Sequence, residues 1–220
     1  MEPDFWHARW ANNQIGFHEG RPNDFLVKFL PRLAVMPGRR IFVPMCGKGV
    51  DMQWLAGQGY AVLGVELSPI AVQAFFAENN LPVEQSTHGP FTRWRSGAIE
   101  ILCGDFFALT ADELADVAAV YDRAALIALP EHLRTAYARH LETLLPGSMR
   151  HLLVTLDYPQ EQMSGPPFSV DAAEVRCLFG ARCTIEPLES RDALADNPHL
   201  QAKGLARLQE NVFLLTRAIK

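Results

Sequence analysis

The sequence predicts an α/β fold: a mostly parallel, twisted sheet with helices on both faces and an antiparallel C-terminal strand. Short apolar runs alternate with helical stretches along the chain, which is typical of parallel strands joined by crossover helices. The first run, RIFVPM, is largely apolar, as expected of a strand buried on both faces. The last two runs, CTIEPLES and NVFLLTRA, are strands that can pair antiparallel.

Turn and capping residues bound the predicted elements in the first half of the chain. Gly57 and Gly59 end the helix that follows the first strand. Ser68 and Pro69 begin the next helix, as N-cap and first helical residue. The predicted elements of this half are helices over 3–12, 22–33 and 50–56 and the helix after Ser68, with the strands RIFVPM, YAVLGVEL and AIEILCGD.

The second half continues the alternation. The strand DVAAVYDR precedes a long helix over 130–145, which a Pro-Gly turn ends. The strand MRHLLVTLDY follows, and Asp171 then begins a helix that ends near Gly180. The loop RDALADNPHLQAKGLARLQE is longer than most structural loops, so we expect it to carry substrate contacts.

Length and composition indicate one enzyme-sized domain. A chain of 220 residues fits a single domain over 1–220, with an N-terminal helical extension over 1–38 and a core over 39–220. The net charge is −5 without a run of Lys or Arg, which disfavours nucleic acid and anionic membranes as partners. The N-terminus lacks the pattern of a signal peptide. Four cysteines without a C-x-x-C pair favour free thiols in the cytoplasm, and we expect a monomer.

The loop CGKG after the first strand admits three nucleotide-binding interpretations. A phosphate-binding loop needs a glycine where Phe42 stands and Ser or Thr where Gly49 stands. A dinucleotide site fits Gly47 and Gly49 but needs a third glycine at Met52. S-adenosylmethionine has no pyrophosphate, so its loop needs glycines only for close approach of the backbone. The third interpretation therefore fits best, and the second remains as an NAD-dependent oxidoreductase.

Two acidic residues at successive strand ends support S-adenosylmethionine. Glu66 ends the second strand, where a carboxylate can accept hydrogen bonds from both ribose hydroxyls. Asp105 ends the third strand beside Phe106, in the position expected for adenine contacts. Ligands of open parallel sheets bind outside the carboxyl ends of the strands. The competing interpretation makes both acids solvated strand-end or helix-cap residues.

With these residues identified, the sequence resembles the bacterial thiopurine S-methyltransferases over nearly its whole length. The resemblance rests on FWHARWANNQIGFHEG, FVPMCGKGVDMQWLAGQGYAVLGVELS, VYDRAALIAL and SGPPFSV. It implies a single-domain, Rossmann-like class I methyltransferase, with S-adenosylmethionine as donor and the sulfur of an aromatic heterocycle as acceptor. Cofactor contacts are then implied for Trp10, Met45, Glu66 and Arg123, with Asp105 and Phe106 flanking the adenine.

One departure from the family concerns the late loop. Family members can carry an arginine there that reaches the acceptor, whereas NPHLQAKGL has His199 and Lys203 but no arginine. The range of acceptors, including selenium or tellurium compounds, is therefore open. A non-catalytic S-adenosylmethionine-binding protein is the remaining alternative.

The chemistry of methyl transfer predicts positioning more than acid–base catalysis. The sequence shows no obvious general base, so no firm catalytic residue is assigned, and Arg123 is expected to support the reaction by charge because its guanidinium stays protonated. Residues of the N-terminal segment are expected to cover the cofactor. The residues assigned to the acceptor are Phe17, His18, Arg123, Pro166 and Phe168. The histidines show no metal-ligand spacing, and we predict no metal.

Overall fold

The computed structural model describes residues 3–14, 20–145 and 147–217. Its helices are α1 (Pro3–Ala11), α2 (Asp24–Phe29), α3 (Asp51–Gly57), α4 (Pro69–Glu78), α5 (Ala125–Ala128), α6 (Glu131–Leu144), α7 (Ala172–Phe179) and α8 (Pro198–Gln201). Its strands are β1 (Arg40–Val43), β2 (Ala61–Glu66), β3 (Glu84–His88), β4 (Phe91–Ser96), β5 (Ile99–Cys103), β6 (Val117–Asp122), β7 (Met149–Asp157), β8 (Cys183–Asp192) and β9 (Gln209–Arg217). The chain divides into two compact units, Met1–Tyr121 and Asp122–Lys220.

The first unit contains the parallel part of the sheet. Its strands lie in the order β3-β4-β5-β2-β1-β6, and β5, β2, β1 and β6 run parallel. Val43 is level with Gly64, and Glu66 is level with Cys103. The loops that follow β1, β2 and β5 therefore leave the sheet at the same edge, where open parallel sheets bind ligands.

The central strands form because both of their faces are covered. Ile41, Phe42, Val62 and Leu63 are all almost fully buried, which explains why their sequences show no alternation of polar and apolar residues. Gly64 is required in β2, because a Cβ there would lie 2.7 Å from Sγ of Cys46. A side chain at this position would force the Sγ of Cys46, in the loop that follows β1, to move.

The sequence did not predict the hairpin of β3 and β4. These strands pair antiparallel, from Glu84 opposite Arg95 to His88 opposite Phe91, and β4 continues the sheet antiparallel to β5. β3 is the exposed edge strand, and its sequence EQSTH has no apolar face that would reveal it. Polar edge strands limit pairing with other chains, and the same polarity makes them hard to recognise.

One predicted helix needed correction, and a short helix was not predicted. The helix predicted over 22–33 ends as an α-helix at Phe29 and continues as a 3-10 turn over Leu30–Leu33. Pro31 lacks the N–H that would extend the α-helical ladder. The short helix α5 was not predicted. It forms because the carboxylate of Asp122 caps it, accepting hydrogen bonds from the N–H groups of Ala125 and Leu126.

The second unit contains the C-terminal strands. They lie in the order β7-β9-β8, and β9 is antiparallel to both neighbours, which confirms the predicted antiparallel C-terminal strand. The late loop between β8 and β9 contains α8 and packs its apolar side chains into a core cluster with Tyr158. The prediction that residues 1–220 form one domain, with 1–38 as an extension, stays a prediction.

Candidate functional site

The loop between β1 and α3, residues 44–50, has an unusual backbone and is called the glycine loop below. Gly47 has a φ of 54° and Met45 a φ of 47°. Glycine adopts this left-handed region without cost, whereas a methionine there is strained by about 1–2 kcal/mol. Strained residues of this kind cluster at ligand-binding sites. The loop is closed by hydrogen bonds from the Cys46 N–H to the carbonyl of Val65 (3.0 Å) and from the Gly49 N–H to the carbonyl of Cys46 (3.1 Å).

Glu66 joins the glycine loop to the end of β2. Its Oε2 accepts a hydrogen bond from the Gly47 N–H at 2.9 Å, and its Oε1 accepts one from the Ser68 N–H at 2.8 Å. Burial raises the pKa of Glu66, and these N–H groups oppose the rise. Each carboxylate oxygen has a second lone pair, so Glu66 can organise the loop and also accept hydrogen bonds from a ligand.

The lysine of the glycine loop is held by a carboxylate. Nζ of Lys48 lies 2.6 and 2.9 Å from the two carboxylate oxygens of Glu78 at the end of α4. The Lys48 side chain is only 10% exposed. The charge of this lysine is therefore compensated within the protein, which argues against its use as a phosphate ligand.

The end of β5 presents an acid and an aromatic pair. Oδ1 of Asp105 accepts a hydrogen bond from the Phe107 N–H at 3.0 Å and caps the 3-10 turn over Phe106–Ala108. The ring of Phe106 is 4% exposed, whereas the ring of Phe107 is 38% exposed and meets it edge to face. The sequence predicts Phe106 as a site residue and does not reveal Phe107. The doubled phenylalanine was the only available signal, and it does not tell which ring faces outward.

Trp10 lies against the glycine loop. A Cβ on Gly47 would come within 3.2 Å of Cζ2 of the Trp10 ring, so the indole packs directly on the bare Cα of Gly47. Trp10 is 7% exposed, and its helix α1 packs against α4. The structure therefore brings one of the predicted N-terminal aromatic residues to the loop. Phe17 and His18 lie outside the described residues.

Asp51, which the sequence analysis missed, fastens the far end of the glycine loop. Its buried carboxylate accepts hydrogen bonds from the Asn23 N–H at 2.8 Å and from the Tyr121 hydroxyl at 2.9 Å. Asp51 is the first residue of α3, so these bonds fix where the helix begins. An acid in the first turn of a helix is too common to be singled out from sequence.

In the second unit, Asp122 fixes the backbone next to Arg123. Asp122 is fully buried, and its carboxylate accepts hydrogen bonds from the Ala125 N–H at 3.0 Å and the Tyr137 hydroxyl at 2.6 Å. Burial raises the pKa of Asp122 to about 6. His151, with Nε2 at 3.9 Å, is also buried, and burial lowers its pKa to about 3. Asp122 therefore caps α5 from inside the protein. Arg123 itself is half-buried.

The predicted acceptor residues Pro166 and Phe168 are half-buried in the segment SGPPFSV, residues 164–170. The Phe168 N–H donates to the carbonyl of Ile127 at 2.7 Å. The Phe168 ring packs on Gly165, and the guanidinium of Arg134 lies 5.7 Å from the ring centroid. In the late loop, His199 and Lys203 are exposed.

The part of the chain that the structure describes offers neither a metal-binding cluster nor a helix able to span a membrane. No group of three or more His, Cys, Asp or Glu side chains in residues 3–14, 20–145 and 147–217 is arranged to hold a metal ion. Within the same ranges, every helix is too short or too polar to cross a bilayer.

Comparison with known proteins identifies relatives of the same length. The family model described as thiopurine S-methyltransferase matches residues 1–218. A thiopurine S-methyltransferase of Nitrosospira multiformis is 51% identical over 215 residues, covering 98% of both chains. One of Pseudomonas entomophila is 52% identical over 217 residues, covering 99% of this chain and 100% of the relative.

Solved structures match the fold at much lower identity. An S-adenosylmethionine-dependent methyltransferase from Anabaena variabilis matches with a TM-score of 0.66 and 16% identity, over 98% of this chain and 94% of the other. The 1,6-didemethyltoxoflavin-N1-methyltransferase of Burkholderia thailandensis, solved with its acceptor and S-adenosylhomocysteine, has a TM-score of 0.66 and 15% identity, over 98% and 87% of the chains. These matches confirm the predicted Rossmann-like methyltransferase fold.

Proposed function

The chain belongs to the thiopurine S-methyltransferase family, and we propose that it transfers the methyl group of S-adenosylmethionine to the sulfur of an aromatic or heterocyclic thiol. The observation that supports this most is the buried carboxylate of Glu66, bonded to the N–H of Gly47 at the carboxyl edge of the sheet. A carboxylate beside a glycine loop suits a nucleoside with two ribose hydroxyls and no pyrophosphate.

The residues of the first unit fit S-adenosylmethionine. We assign Glu66 to the ribose hydroxyls, Met45 and Trp10 to the glycine-loop side of the cofactor, and Asp105 with Phe106 to the adenine. The aromatic face of Trp10 suits the donor's positive sulfonium through a cation–π contact. Lys48 is already paired with Glu78, which is appropriate for a cofactor that has no phosphate to bind.

The chemistry of the transfer needs little acid–base help. The acceptor thiolate attacks the methyl carbon in line, a new S–C bond forms, and the old sulfonium S–C bond breaks with its electrons to leave a neutral thioether. An aryl thiol ionises readily, so the protein's task is to hold two reactants in line, which can remove about 7–11 kcal/mol of barrier in well-oriented cases. We assign Arg123 to electrostatic support of an anionic acceptor or of the donor's carboxylate, since it cannot act as a base.

The acceptor side is proposed from the second unit and the N-terminal segment. Pro166 and Phe168 belong to a backbone segment held in one position, and a half-buried phenylalanine offers an aromatic face for stacking. Phe17 and His18 are kept as acceptor contacts, with His18 as the candidate proton acceptor if one is needed. Selenium and tellurium compounds remain candidate acceptors because selenolate and tellurolate anions, the reduced forms, are soft nucleophiles like thiolates.

An NAD-dependent oxidoreductase is the enzymatic alternative, and the packing of α3 argues against it. Met52 takes the place of the third glycine and is 1% exposed. Its Sδ lies 3.2 Å from the position of a Cβ on Gly64. Helix α3 and strand β2 thus approach each other closely at a glycine of the strand. In a dinucleotide-binding site, the glycine that allows this approach belongs to the helix.

A cytoplasmic monomer is proposed as the working form. All four cysteines, which belong to the described residues, are free thiols, and this suits a reducing compartment. Sedimentation of the purified chain with and without donor would test the oligomeric state.

The experiment that tests the proposed function is a methylation screen. The purified chain is incubated with S-adenosylmethionine and one acceptor at a time: 6-mercaptopurine, thiophenol, selenite or tellurite. The masses of the products are measured by mass spectrometry. Methylation of the aryl thiols supports the proposal. Donor binding without methylation of any acceptor would favour the alternative of a non-catalytic S-adenosylmethionine-binding protein.

A further inference from the structure

The side chain of Tyr158 connects two segments of the second unit. Its ring is 2% exposed and belongs to the core cluster of the late loop, with Ala193, Leu200, Leu205 and Leu208. Its hydroxyl donates a hydrogen bond to the carbonyl of Pro167 at 2.6 Å. The Tyr158 N–H donates to Oγ of Ser169 at 3.0 Å. One residue therefore ties the late loop to the SGPPFSV segment.

Gln160 completes this network with its side-chain amide. Oε1 accepts a hydrogen bond from the Ser169 N–H at 2.9 Å. Nε2 donates to the carbonyl of Met163 at 2.5 Å and to the Tyr158 hydroxyl at 3.2 Å. Since one end of the amide faces an N–H and the other a carbonyl, its orientation is determined. Tyr158 thus holds the carbonyl of Pro167, just before Phe168, and Gln160 holds the N–H of Ser169, just after it.

Phe168 is held from its other sides as well. Its N–H donates to the carbonyl of Ile127, its ring packs on Gly165, and the guanidinium of Arg134 lies near the ring. Arg134 is 3% exposed and is itself fixed by an ion pair with Glu174 at 2.6 Å. The half-buried Phe168 ring and its backbone are therefore restrained from several sides.

We propose that Tyr158 and Gln160 are positioning residues for the acceptor, which fix the backbone on both sides of Phe168 and so set where an aromatic acceptor stacks. The inference rests on the proposed function, because it takes the acceptor to be an aromatic thiol that meets Phe168. Stacking on the Phe168 ring contributes to acceptor binding, so a ring that is no longer held in place should raise the KM of an aromatic thiol. The fixed ring gives the site its preference for planar acceptors.

The test uses conservative variants of the full-length chain. Tyr158→Phe removes only the hydroxyl, and Gln160→Glu keeps the acceptor for the Ser169 N–H but loses both donors, whereas Gln160→Ala loses all three bonds. Tyr60→Phe is the matched control, because its hydroxyl also donates to a backbone carbonyl, that of Val35 at 3.3 Å, in the first unit. Values of kcat and KM are measured for 6-mercaptopurine and thiophenol, with the Kd of S-adenosylmethionine and the melting temperature for each protein.

The expected result is a rise in KM for both aryl thiols of about fivefold or more in Tyr158→Phe, the scale of a lost buried hydrogen bond. Gln160→Ala should raise the KM for the aryl thiols by a similar factor, and the KM of Gln160→Glu should lie between those of Gln160→Ala and wild type. The Kd of S-adenosylmethionine should change less than twofold in each variant. Unchanged acceptor KM in Tyr158→Phe and Gln160→Ala would overturn the inference and leave the proposed function standing. An equal loss of donor affinity would overturn it in favour of a general structural role. Absence of methylation by the wild type would overturn the proposed function instead.

Discussion

The carboxylate of Glu66 accepts a hydrogen bond from the backbone N–H of Gly47 at 2.9 Å, across the edge of the sheet. This contact links the end of β2 to the glycine loop. It makes Glu66 a structural part of the loop, and we propose the same carboxylate for the ribose hydroxyls of S-adenosylmethionine. The alternative of a solvated Glu66 is wrong, because Glu66 is buried and both of its carboxylate oxygens accept hydrogen bonds from backbone N–H groups.

Replacing Glu66 by alanine should weaken binding of S-adenosylmethionine by about 1.5–3 kcal/mol, the scale of a lost hydrogen bond to a charged group. The affinity of Glu66→Gln for S-adenosylmethionine should lie between those of Glu66→Ala and wild type, since an amide keeps one acceptor oxygen. Isothermal titration calorimetry measures the affinity, and Glu84→Ala, at an exposed position of β3, serves as control. Unchanged donor affinity in a folded Glu66→Ala variant would remove Glu66 from the site.

Replacing Gly47 by alanine should weaken donor binding about tenfold or more. The new Cβ would sit 3.2 Å from the Trp10 ring at a φ of 54°, so the indole must move and the backbone becomes strained. Gly57→Ala is the control, because a Cβ at that position of α3 meets nothing within 4 Å. If both variants bind S-adenosylmethionine equally well, Trp10 is only a packing residue.

Arg123 is expected to act by charge. Arg123→Lys keeps the charge but loses the planar fork, so it should retain part of the activity, and Arg123→Ala should lose more. Rates for a series of aryl thiols, measured across pH in wild type and both variants, should be nearly flat above the pKa of each thiol. A group with a pKa of about 6–7 that appears with every thiol and persists in Arg123→Ala would indicate a histidine base, and His18 would be replaced first.

The buried carboxyl of Asp122 should make stability depend on pH. Burial raises its pKa from 3.8 to about 6, so between about pH 4 and pH 6 the folded protein keeps a proton that the unfolded chain releases. This group therefore adds stability as the pH falls through 6 and opposes folding above it. Two neighbours face Asp122: Tyr137, whose own pKa is raised by burial, and His151, which burial keeps neutral in this range.

Asp122→Asn removes this titration. The free energy of unfolding of the variant, relative to wild type, should fall by up to about 3 kcal/mol from pH 7 to about pH 4, because a shift of one pKa unit corresponds to about 1.4 kcal/mol. Urea unfolding at both pH values measures it, with the exposed Asp196→Asn as control. A difference between variant and wild type that is independent of pH would show that Asp122 has an ordinary pKa.

Local signals allowed much of the fold to be predicted. Ser68 caps α4 and Asp171 caps α7, each through its own side chain, as their positions before helical stretches indicated. The buried strands β1 and β2 were recognisable from their apolar runs. These features depend on residues within a few positions of each other, which is the range that periodicity and capping patterns report.

The remaining features depend on partners far apart in the chain. Lys48 meets Glu78 over 30 positions, and Asp51 meets Tyr121 over 70. Neither pair leaves a local pattern, so the sequence could exclude a phosphate loop around Lys48 but could not reveal that its side chain pairs with Glu78. The network of Tyr158 was missed for a related reason: its ring is buried by the late loop, about 35–50 positions further along the chain, which was expected only to contact the substrate.

The most direct test of the proposed methyl transfer follows thioether formation from S-adenosylmethionine and 6-mercaptopurine by mass spectrometry. We expect a product heavier than the thiol by one CH2 group, formed together with an equal amount of S-adenosylhomocysteine, and formed more slowly by Glu66→Ala. Tight binding of NAD with hydride transfer, and no thioether from any aryl thiol, would contradict it.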